Sequence, residues 1–184
     1  MSKTALLTID MQKEYFEDGR PLKVPDGPAV LANVVRLQEG ARKAGISLIH
    51  IQHLSLEPEG GVFVEGSPFS DLVQESAPAT GETVVVKRYP SAFAGTQLEG
   101  HLKELGVDTV VITGLMSFMC CDTTARDAHS RGYKVFFVQD ATAAIDLGKI
   151  PAQQAHEVTL AVQGFVFSEV VNTEEVLERL EKGW

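Results

Sequence analysis

Residues 109–121 have the sequence TVVITGLMSFMCC. The run at residues 109–113 is apolar and rich in β-branched side chains, which is typical of a strand buried on both faces of a parallel sheet. A helical pattern follows over residues 118–131 and ends before Gly132, where a glycine suits the left-handed end of a helix. The stretch therefore predicts strand, turn and helix, the repeating unit of an open α/β sheet.

Short apolar runs of the same kind alternate with helical segments along the rest of the chain. We therefore expect a three-layer α/β/α fold with a six-stranded parallel sheet, an open sheet of the Rossmann-like type. Continuous valine runs such as residues 84–86 again indicate burial on both faces. The expected strands are residues 5–9, 47–51, 83–86, 109–113, 135–138 and 166–171. The expected helices are residues 28–44, 96–105, 118–131, 153–162 and 173–182.

One long region is rich in glycine and proline and lacks either pattern. It spans residues 57–78, and we expect a loop with a short helix near residues 69–75. Long loops in compact domains are often lids or binding loops. The sequence contains no repeat or composition shift that marks a boundary, so we expect a single domain over residues 1–184.

Charge and hydropathy limit the partners. Sixteen Lys and Arg against 25 Asp and Glu give a net charge of −9, which argues against nucleic acid or an anionic membrane as the main partner. No apolar stretch approaches the roughly 18 residues of a membrane span, and the first residues lack a signal-peptide core. We expect a cytoplasmic protein with a small-molecule partner, no nucleic acid and no membrane.

The two cysteines of the chain, Cys120 and Cys121, are adjacent. Neighbouring cysteines cannot hold a secreted fold together, so a disulfide scaffold is excluded. Each is either a reactive thiol or a small buried apolar residue. Their side chains point about 100° apart on a helix, and spacing alone leaves open which one faces a site.

Three chemically different side chains follow expected strands. Asp10 follows the first strand, Lys87 the third, and Cys120 lies beyond the fourth. Ligands of open α/β sheets bind at the carboxyl ends of the strands, so the combination indicates one site. A helix N-terminus and Lys87 would both favour a thiolate at Cys120, and Asp10 can accept the thiol proton. Taken singly, each residue also fits a turn, a solvated surface or the core.

Other enzyme classes with a similar sheet are excluded by missing residues. No Gly-x-Gly-x-x-Gly follows the first strand, as a dehydrogenase needs. A haloacid dehalogenase-type phosphatase needs a second Asp where Gln12 stands. Redox chemistry of the Cys-x-x-Cys kind lacks its spacing.

Several motifs, in order, resemble the isochorismatase-like cysteine hydrolases. They are LTIDMQ at residues 7–12, VK at 86–87 with YPSAF at 89–93, VITGL at 111–115, TARDA at 124–128, GY at 132–133 and DATA at 140–143. The resemblance covers nearly the whole chain. It implies a three-layer fold with a six-stranded parallel sheet, and relatives that include nicotinamidases and carbamoylsarcosine amidases.

The resemblance implies a role for each strand-end residue. Cys120 matches the family's nucleophile, Asp10 its general acid/base and Lys87 the third member of its triad. Cys121 falls where the family usually has valine, so we expect it in the core. The family's cis peptide would join Leu115 to Met116, and the oxyanion hole would use the backbone N–H groups of Met116 and Cys120.

The same comparison marks a substrate pocket with aromatic walls. Tyr15 stands where the family usually has Phe, and it either lines the pocket beside Phe93 or packs in the core. Phe118 occupies a position that is often polar, which makes its wall more apolar. The expected substrate-binding residues are Tyr15, Phe93 and Phe118.

Metal and assembly are the remaining expectations. Nicotinamidases carry an Asp-x-His metal site after the second strand, but the sequence here, with His50 and His53, lacks that pattern, so we expect no metal and no cofactor.

Family resemblance implies a homo-oligomer, and residues 165–167 suit an interface or a core strand. The expected reaction is amide hydrolysis through a thioester. The alternatives are vinyl ether hydrolysis, with Asp10 as general acid, and a non-enzymatic binding protein on the same scaffold.

Overall fold

The computed structural model of the chain describes residues 3–56 and 61–184. Six strands form one sheet in the order β3-β2-β1-β4-β5-β6, and every neighbouring pair is parallel. The prediction of a six-stranded parallel sheet is confirmed. The strands are β1 Thr4–Ile9, β2 Ser47–His53, β3 Thr83–Lys87, β4 Thr109–Leu115, β5 Lys134–Ala143 and β6 Glu169–Val171.

Helices cover both faces of the sheet, as predicted for three layers. Successive strand residues point to opposite faces, so Leu6 joins a core cluster with α1 and α5, and Leu7 joins a second cluster with α2 and α3. The N-cap Asn172 and Glu175 form a capping box that starts α5 at its predicted residue. The helices are α1 Gly27–Ala44, α2 Leu98–Glu104, α3 Asp122–Ser130, α4 Ala152–Val162 and α5 Thr173–Lys182.

The third strand is an edge strand, and the prediction that both its faces are buried is wrong. Val85 is buried, but Val84 and Val86 are 41% and 42% exposed. The strand order places β3 at the end of the sheet. The β2–β3 connection contains 3-10 turns at Pro68–Ser70 and Gln74–Ser76 instead of a helix over 69–75. No α-helix of the described residues therefore lies between these strands, and residues 57–60 of the predicted loop are outside the described residues.

The last predicted strand is shorter than expected. Gln163–Phe167 forms a π-helical turn that continues α4, so only Glu169–Val171 belongs to the sheet. The buried Gln163 side chain donates to Asp122 Oδ1 at 2.7 Å and accepts from Ser168 Oγ at 2.5 Å. These bonds satisfy a buried amide and fix the turn, and this leaves Phe165 88% exposed instead of in the core.

The two central strands, β1 and β4, touch at a glycine. Gly114 pairs in register with Ile9 and has φ +108°. A Cβ at Gly114 would lie 2.0 Å from the Ile9 carbonyl oxygen. The backbones can approach this closely only because residue 114 has no side chain.

Gly114→Ala is therefore expected to destabilise the fold by more than ~3 kcal/mol, because overlap with backbone and an unfavourable φ act together. Urea unfolding of the purified variant measures the loss. Gly100→Ala, in α2 with no heavy atom closer than 3.9 Å to the new Cβ, is the control and should change stability by about 1 kcal/mol or less, in the stabilising direction. Equal stability of the two variants would contradict the expected overlap.

A charged network ties the loop before β3 to the neighbouring α1 and β2. Glu82 accepts from Arg42 Nε at 2.6 Å, from His50 Nε2 at 2.8 Å and from the Ala79 backbone N–H at 2.8 Å. On its other side, His50 Nδ1 lies 3.2 Å from Thr8 Oγ1. Hydrogen bonds from Arg42 outweigh burial and lower the pKa of Glu82 from 4.5 to about 2.

Because this carboxyl has a lowered pKa in the folded protein, its contribution to stability is present above pH 4.5 and is lost as the pH falls towards 2. Because solvent screens this pair, Glu82→Gln should cost about 1–2 kcal/mol at pH 7, and the difference from the unmodified protein should shrink steadily below pH 4.5. Urea unfolding at pH 7, 5 and 3 measures it, with the exposed Glu75→Gln as control. A difference that does not change with pH would contradict the role of the charge.

Candidate active site

The structure brings the three strand-end residues together. Lys87 Nζ lies 2.9 Å from Asp10 Oδ2 and donates to Cys120 Sγ at 3.1 Å. Asp10 and Lys87 are fully buried and Cys120 is 6% exposed. The strand order places β1 beside β4, where the connections leave in opposite directions, and ligands of open α/β sheets bind at that point.

Asp10 owes its position to an unusual backbone. Its φ is +54°, in the left-handed region that few non-glycine residues adopt. Its N–H donates to the Ile51 carbonyl at 2.9 Å, and its carbonyl accepts from the Gln12 N–H at 2.7 Å. The chain thus leaves β1 in a sharp bend that aims the carboxylate at Lys87. Such backbone strain persists where the surrounding structure enforces it, commonly at functional sites.

Cys120 lies in a π-helical turn that directly precedes α3. Ser117–Cys121 forms a π-helical turn, and α3 begins only at Asp122. The Met116 carbonyl accepts from the N–H groups of Met119 and Cys121, at 3.1 and 3.2 Å. Cys120 therefore lies in the first turn of the helical segment, as expected, but that turn is π-helical and not α-helical. The peptide bond between Leu115 and Met116 is cis.

Burial and the neighbouring charges favour the protonated form of the Cys120 thiol. Burial and the Asp10 carboxylate raise the pKa of Cys120, and the Lys87 ammonium lowers it by less. Burial lowers the pKa of Lys87, but Asp10 and Cys120 outweigh burial and raise it overall. The thiol of Cys120 is therefore held in its protonated form at neutral pH, next to the ion pair of Lys87 and Asp10.

The adjacent cysteine lies elsewhere. Cys121 is fully buried among apolar residues of the cluster around α2 and α3, with its Sγ 4.0 Å from the Thr113 carbonyl oxygen. Burial raises the pKa of this thiol well above its usual value. Cys121 is an inert thiol in this setting.

The three predicted aromatic residues are divided between the two core clusters. Tyr15 is buried and Phe118 half-buried in the cluster that contains Met116. Burial, Cys120 and Asp10 all raise the pKa of Tyr15, which places its hydroxyl in the electrostatic reach of the site. Phe93 packs in the cluster that contains Cys120, where its ring stacks on Tyr133 at 6.0 Å. The site therefore has aromatic residues on both faces of the sheet.

Two further residues near the cluster were not identified from the sequence. His53 Nδ1 lies 2.9 Å from Lys87 Nζ, and the ring of Phe63 contacts both His53 and Tyr15 at centroid distances of 5.1 and 5.2 Å. His53 and Lys87 are paired in register at the ends of β2 and β3. His53 can be assigned to the site only once this register is known. Phe63 lies in the β2–β3 connection, and no feature of the sequence marks it.

His50 and His53 serve different parts of the molecule. His50 contacts Thr8 and Glu82 within the charged network, and His53 contacts Lys87. Within residues 3–56 and 61–184, no three His, Cys, Asp or Glu side chains are grouped so as to hold a metal ion. None of the helices in the described part of the chain is long and apolar enough to cross a lipid bilayer.

The protein has an open parallel α/β sheet, and the Lys87 ammonium contacts a carboxylate and a thiol between β1 and β4. This arrangement is typical of an α/β enzyme. The profile of the Isochorismatase domain matches residues 4–175. The chain is 33% identical to the isochorismatase family protein YddQ of Bacillus subtilis strain 168, over 95% of this chain and 99% of that protein. Nicotinamidase 3 of Arabidopsis thaliana is 31% identical, over 96% and 88%.

A solved structure agrees with the family comparison. The cysteine hydrolase of Pseudomonas syringae pv. phaseolicola 1448A superimposes with a TM-score of 0.90 at 27% identity, over 99% of this chain and 94% of that one. The chain belongs to the isochorismatase family, as the resemblance in the sequence implied, and it is a hydrolase of that family.

Proposed function

We propose that the protein is a cysteine hydrolase that cleaves a carbon–nitrogen bond of a small amide through a thioester on Cys120. The observation that carries this proposal is the buried contact of the Cys120 thiol with Lys87, whose ammonium also pairs with Asp10. A thiol, a base and a cation within hydrogen-bond reach are what covalent catalysis by cysteine needs. The name of the relative Nicotinamidase 3 points to the same type of bond.

In the acylation step, Asp10 takes the proton of Cys120 as Sγ attacks the carbonyl carbon of the amide. The protonated thiol of the resting state fits this order, because proton transfer and attack then occur together and no free thiolate is needed. The backbone N–H groups of Met116 and Cys120 hold the tetrahedral oxyanion. Asp10 then gives its proton to the leaving nitrogen, the C–N bond breaks and a thioester remains.

In the deacylation step, Asp10 accepts a proton from a water molecule, and the resulting hydroxide attacks the thioester carbonyl. The C–S bond breaks, the acid product leaves and the proton on Asp10 returns to Cys120 Sγ. Lys87 stays charged throughout and stabilises the carboxylate and the sulfur in turn. One water is consumed, and one acid and one amine or ammonia are produced.

The surroundings of Cys120 favour a small substrate with an apolar or aromatic part. Phe93 packs in the core cluster that contains Cys120, Tyr15 and Phe118 pack in the cluster that contains Met116, and the Phe63 ring contacts Tyr15. Aromatic rings pack favourably against flat groups. These residues form the proposed substrate-binding walls.

The proposal includes a single domain, a homo-oligomer and a cytoplasmic location. Four apolar side chains of α4 and the following turn, Val158, Val162, Phe165 and Val166, are exposed, and a contiguous apolar surface of this kind commonly serves association. Light scattering on the purified protein measures the mass. A reduced cytoplasm would keep the Cys120 thiol available for catalysis.

The test is an ammonia-release screen of small primary amides, with the unmodified protein and Cys120→Ala compared side by side. The proposal predicts turnover of at least one amide, lost in the variant. A parallel chromatographic assay with isochorismate covers vinyl ether hydrolysis with Asp10 as general acid. Isochorismate cleavage retained by Cys120→Ala would overturn the proposal, as would amide turnover that does not need Cys120. Failure of the unmodified protein to turn over any amide or isochorismate would favour a binding protein on the same scaffold.

A further inference from the structure

We propose that His53 is a positioning residue that holds the Lys87 ammonium where it forms an ion pair with Asp10 and donates a hydrogen bond to Cys120. The proposal rests on the proposed roles of those three residues and adds a fourth that acts only through Lys87. It is carried by the geometry of the ammonium and by the way in which the His53 ring is fixed.

A lysine ammonium has three N–H donors, and Lys87 has three partners. Nζ lies 2.9 Å from Asp10 Oδ2, 3.1 Å from Cys120 Sγ and 2.9 Å from His53 Nδ1. The side chain of Lys87 is completely buried. The contact with Asp10 is an ion pair, and the contacts with Cys120 and His53 are hydrogen bonds, so the buried ammonium cannot turn without weakening at least one of the three.

Neighbouring residues hold both the backbone and the ring of His53. Gln12 is fully buried, and its side chain accepts from the His53 N–H at 2.9 Å and donates to the His53 carbonyl at 2.8 Å. The ring meets Phe63 edge-on at 5.1 Å. His53 and Lys87 are register partners on neighbouring parallel strands. The sheet and Gln12 therefore fix the backbone of His53, and Phe63 packs against its ring, in both cases independently of the ammonium.

The contact also fixes the protonation of the ring. A charged ammonium donates to Nδ1, so Nδ1 carries a lone pair and the single ring proton lies on Nε2. The charged groups that face the ring are Lys87 and Arg88, which oppose its protonation, and Asp10, which favours it. Burial, followed by Lys87, lowers the pKa of His53. The imidazole therefore remains a neutral acceptor at neutral pH.

Loss of the Nδ1 acceptor would leave one N–H of a buried ammonium without a partner. The ammonium would then turn or lose its charge, and in either case it would stabilise the developing thiolate of Cys120 less well. Lys87 is the group that lowers the pKa of Cys120. Removal of the His53 acceptor is therefore expected to slow every reaction in which Cys120 Sγ attacks an electrophile, whatever the electrophile is.

The test measures alkylation of Cys120 by iodoacetamide at pH 7, with the modified peptide identified by mass spectrometry. His53→Phe keeps the ring contact with Phe63 but removes the acceptor, and we expect alkylation to slow by ~10-fold or more. His53→Asn places an amide oxygen near the position of Nδ1, and its rate should stay within ~3-fold of the unmodified protein. His101→Phe, in α2, is the control for the same change at a distant histidine and should leave the rate unchanged.

A second comparison separates positioning from a general structural role. In a Lys87→Met background, His53→Phe should cause no further loss, because the group through which it acts is absent. If His53→Phe does not fold, His53→Gln serves instead. The longer side chain carries its amide past the position of Nδ1, so alkylation of Cys120 in this variant should also be slow. Melting temperatures establish that each variant is folded.

Three results would overturn the proposal: His53→Phe alkylating at the unmodified rate, His53→Asn as slow as His53→Phe, or an equal loss with and without Lys87. Iodoacetamide needs no substrate, so the outcome does not depend on amide hydrolysis. If the amide screen fails while the His53 pattern holds, only the proposed function falls. If the screen succeeds and the His53 pattern fails, only the positioning role falls.

Discussion

Cys120→Ala is expected to lower kcat/KM for amide hydrolysis by more than ~10⁴-fold, and Cys121→Ala is expected to retain turnover close to that of the unmodified protein. The physical reason is position. Cys120 Sγ accepts from Lys87 at 3.1 Å, whereas Cys121 Sγ is packed in the core beside the Thr113 carbonyl. Steady-state ammonia release from an amide identified in the screen is the measurement.

The two substitutions are a matched pair, because they remove the same atom from adjacent residues. Cys121→Ala deletes a fully buried sulfur and should cost about 1 kcal/mol in stability, which urea unfolding measures separately from activity. Loss of turnover to the same extent in both variants, with both still folded, would mean that the nucleophile is wrongly assigned.

Asp10→Asn is expected to lower kcat by about 10²–10⁴-fold, because it removes the group that accepts the thiol proton and returns it to the leaving nitrogen. The same change should make Cys120 more reactive towards iodoacetamide. Asp10 raises the pKa of the Cys120 thiol, so its replacement by a neutral amide favours the thiolate. Turnover and alkylation are thus expected to move in opposite directions.

This divergence distinguishes an acid/base role from damage to the site. Asp18→Asn, which removes an exposed carboxylate paired with Lys23, is the control and should affect neither rate. An Asp10→Asn variant that kept the turnover of the unmodified protein would show that the proposed role of Asp10 as the base is wrong.

The central fold was predictable because its signals are local. Short apolar runs marked β1 and β4, and the capping residue Asn172 marks where α5 begins. The errors lie where a tertiary contact decided the outcome. The edge position of β3 depends on strand order, and the π-helical turn at Gln163–Phe167 depends on a hydrogen bond from Gln163 to Asp122 in another helix.

The site divides in the same way. One rule about strand ends predicts Asp10, Lys87 and the cysteine pair, and the family resemblance selects Cys120 from that pair. The structure brings Lys87 into contact with Asp10 and Cys120. The charge state of Cys120 did not follow, because it depends on burial and on the distance to Asp10, neither of which a sequence contains. His53 was missed since its partner is identified only when the register of β2 and β3 is known.

The central claim is that Cys120 carries the acyl group during turnover, and mass spectrometry of acid-quenched reaction mixtures tests it most directly. With the best amide from the screen in excess, the account predicts that the peptide containing Cys120 gains the mass of the substrate minus that of ammonia, and that this gain is absent from Cys120→Ala together with ammonia release. An acyl group on any other residue, or ammonia release from Cys120→Ala at the rate of the unmodified protein, would contradict it.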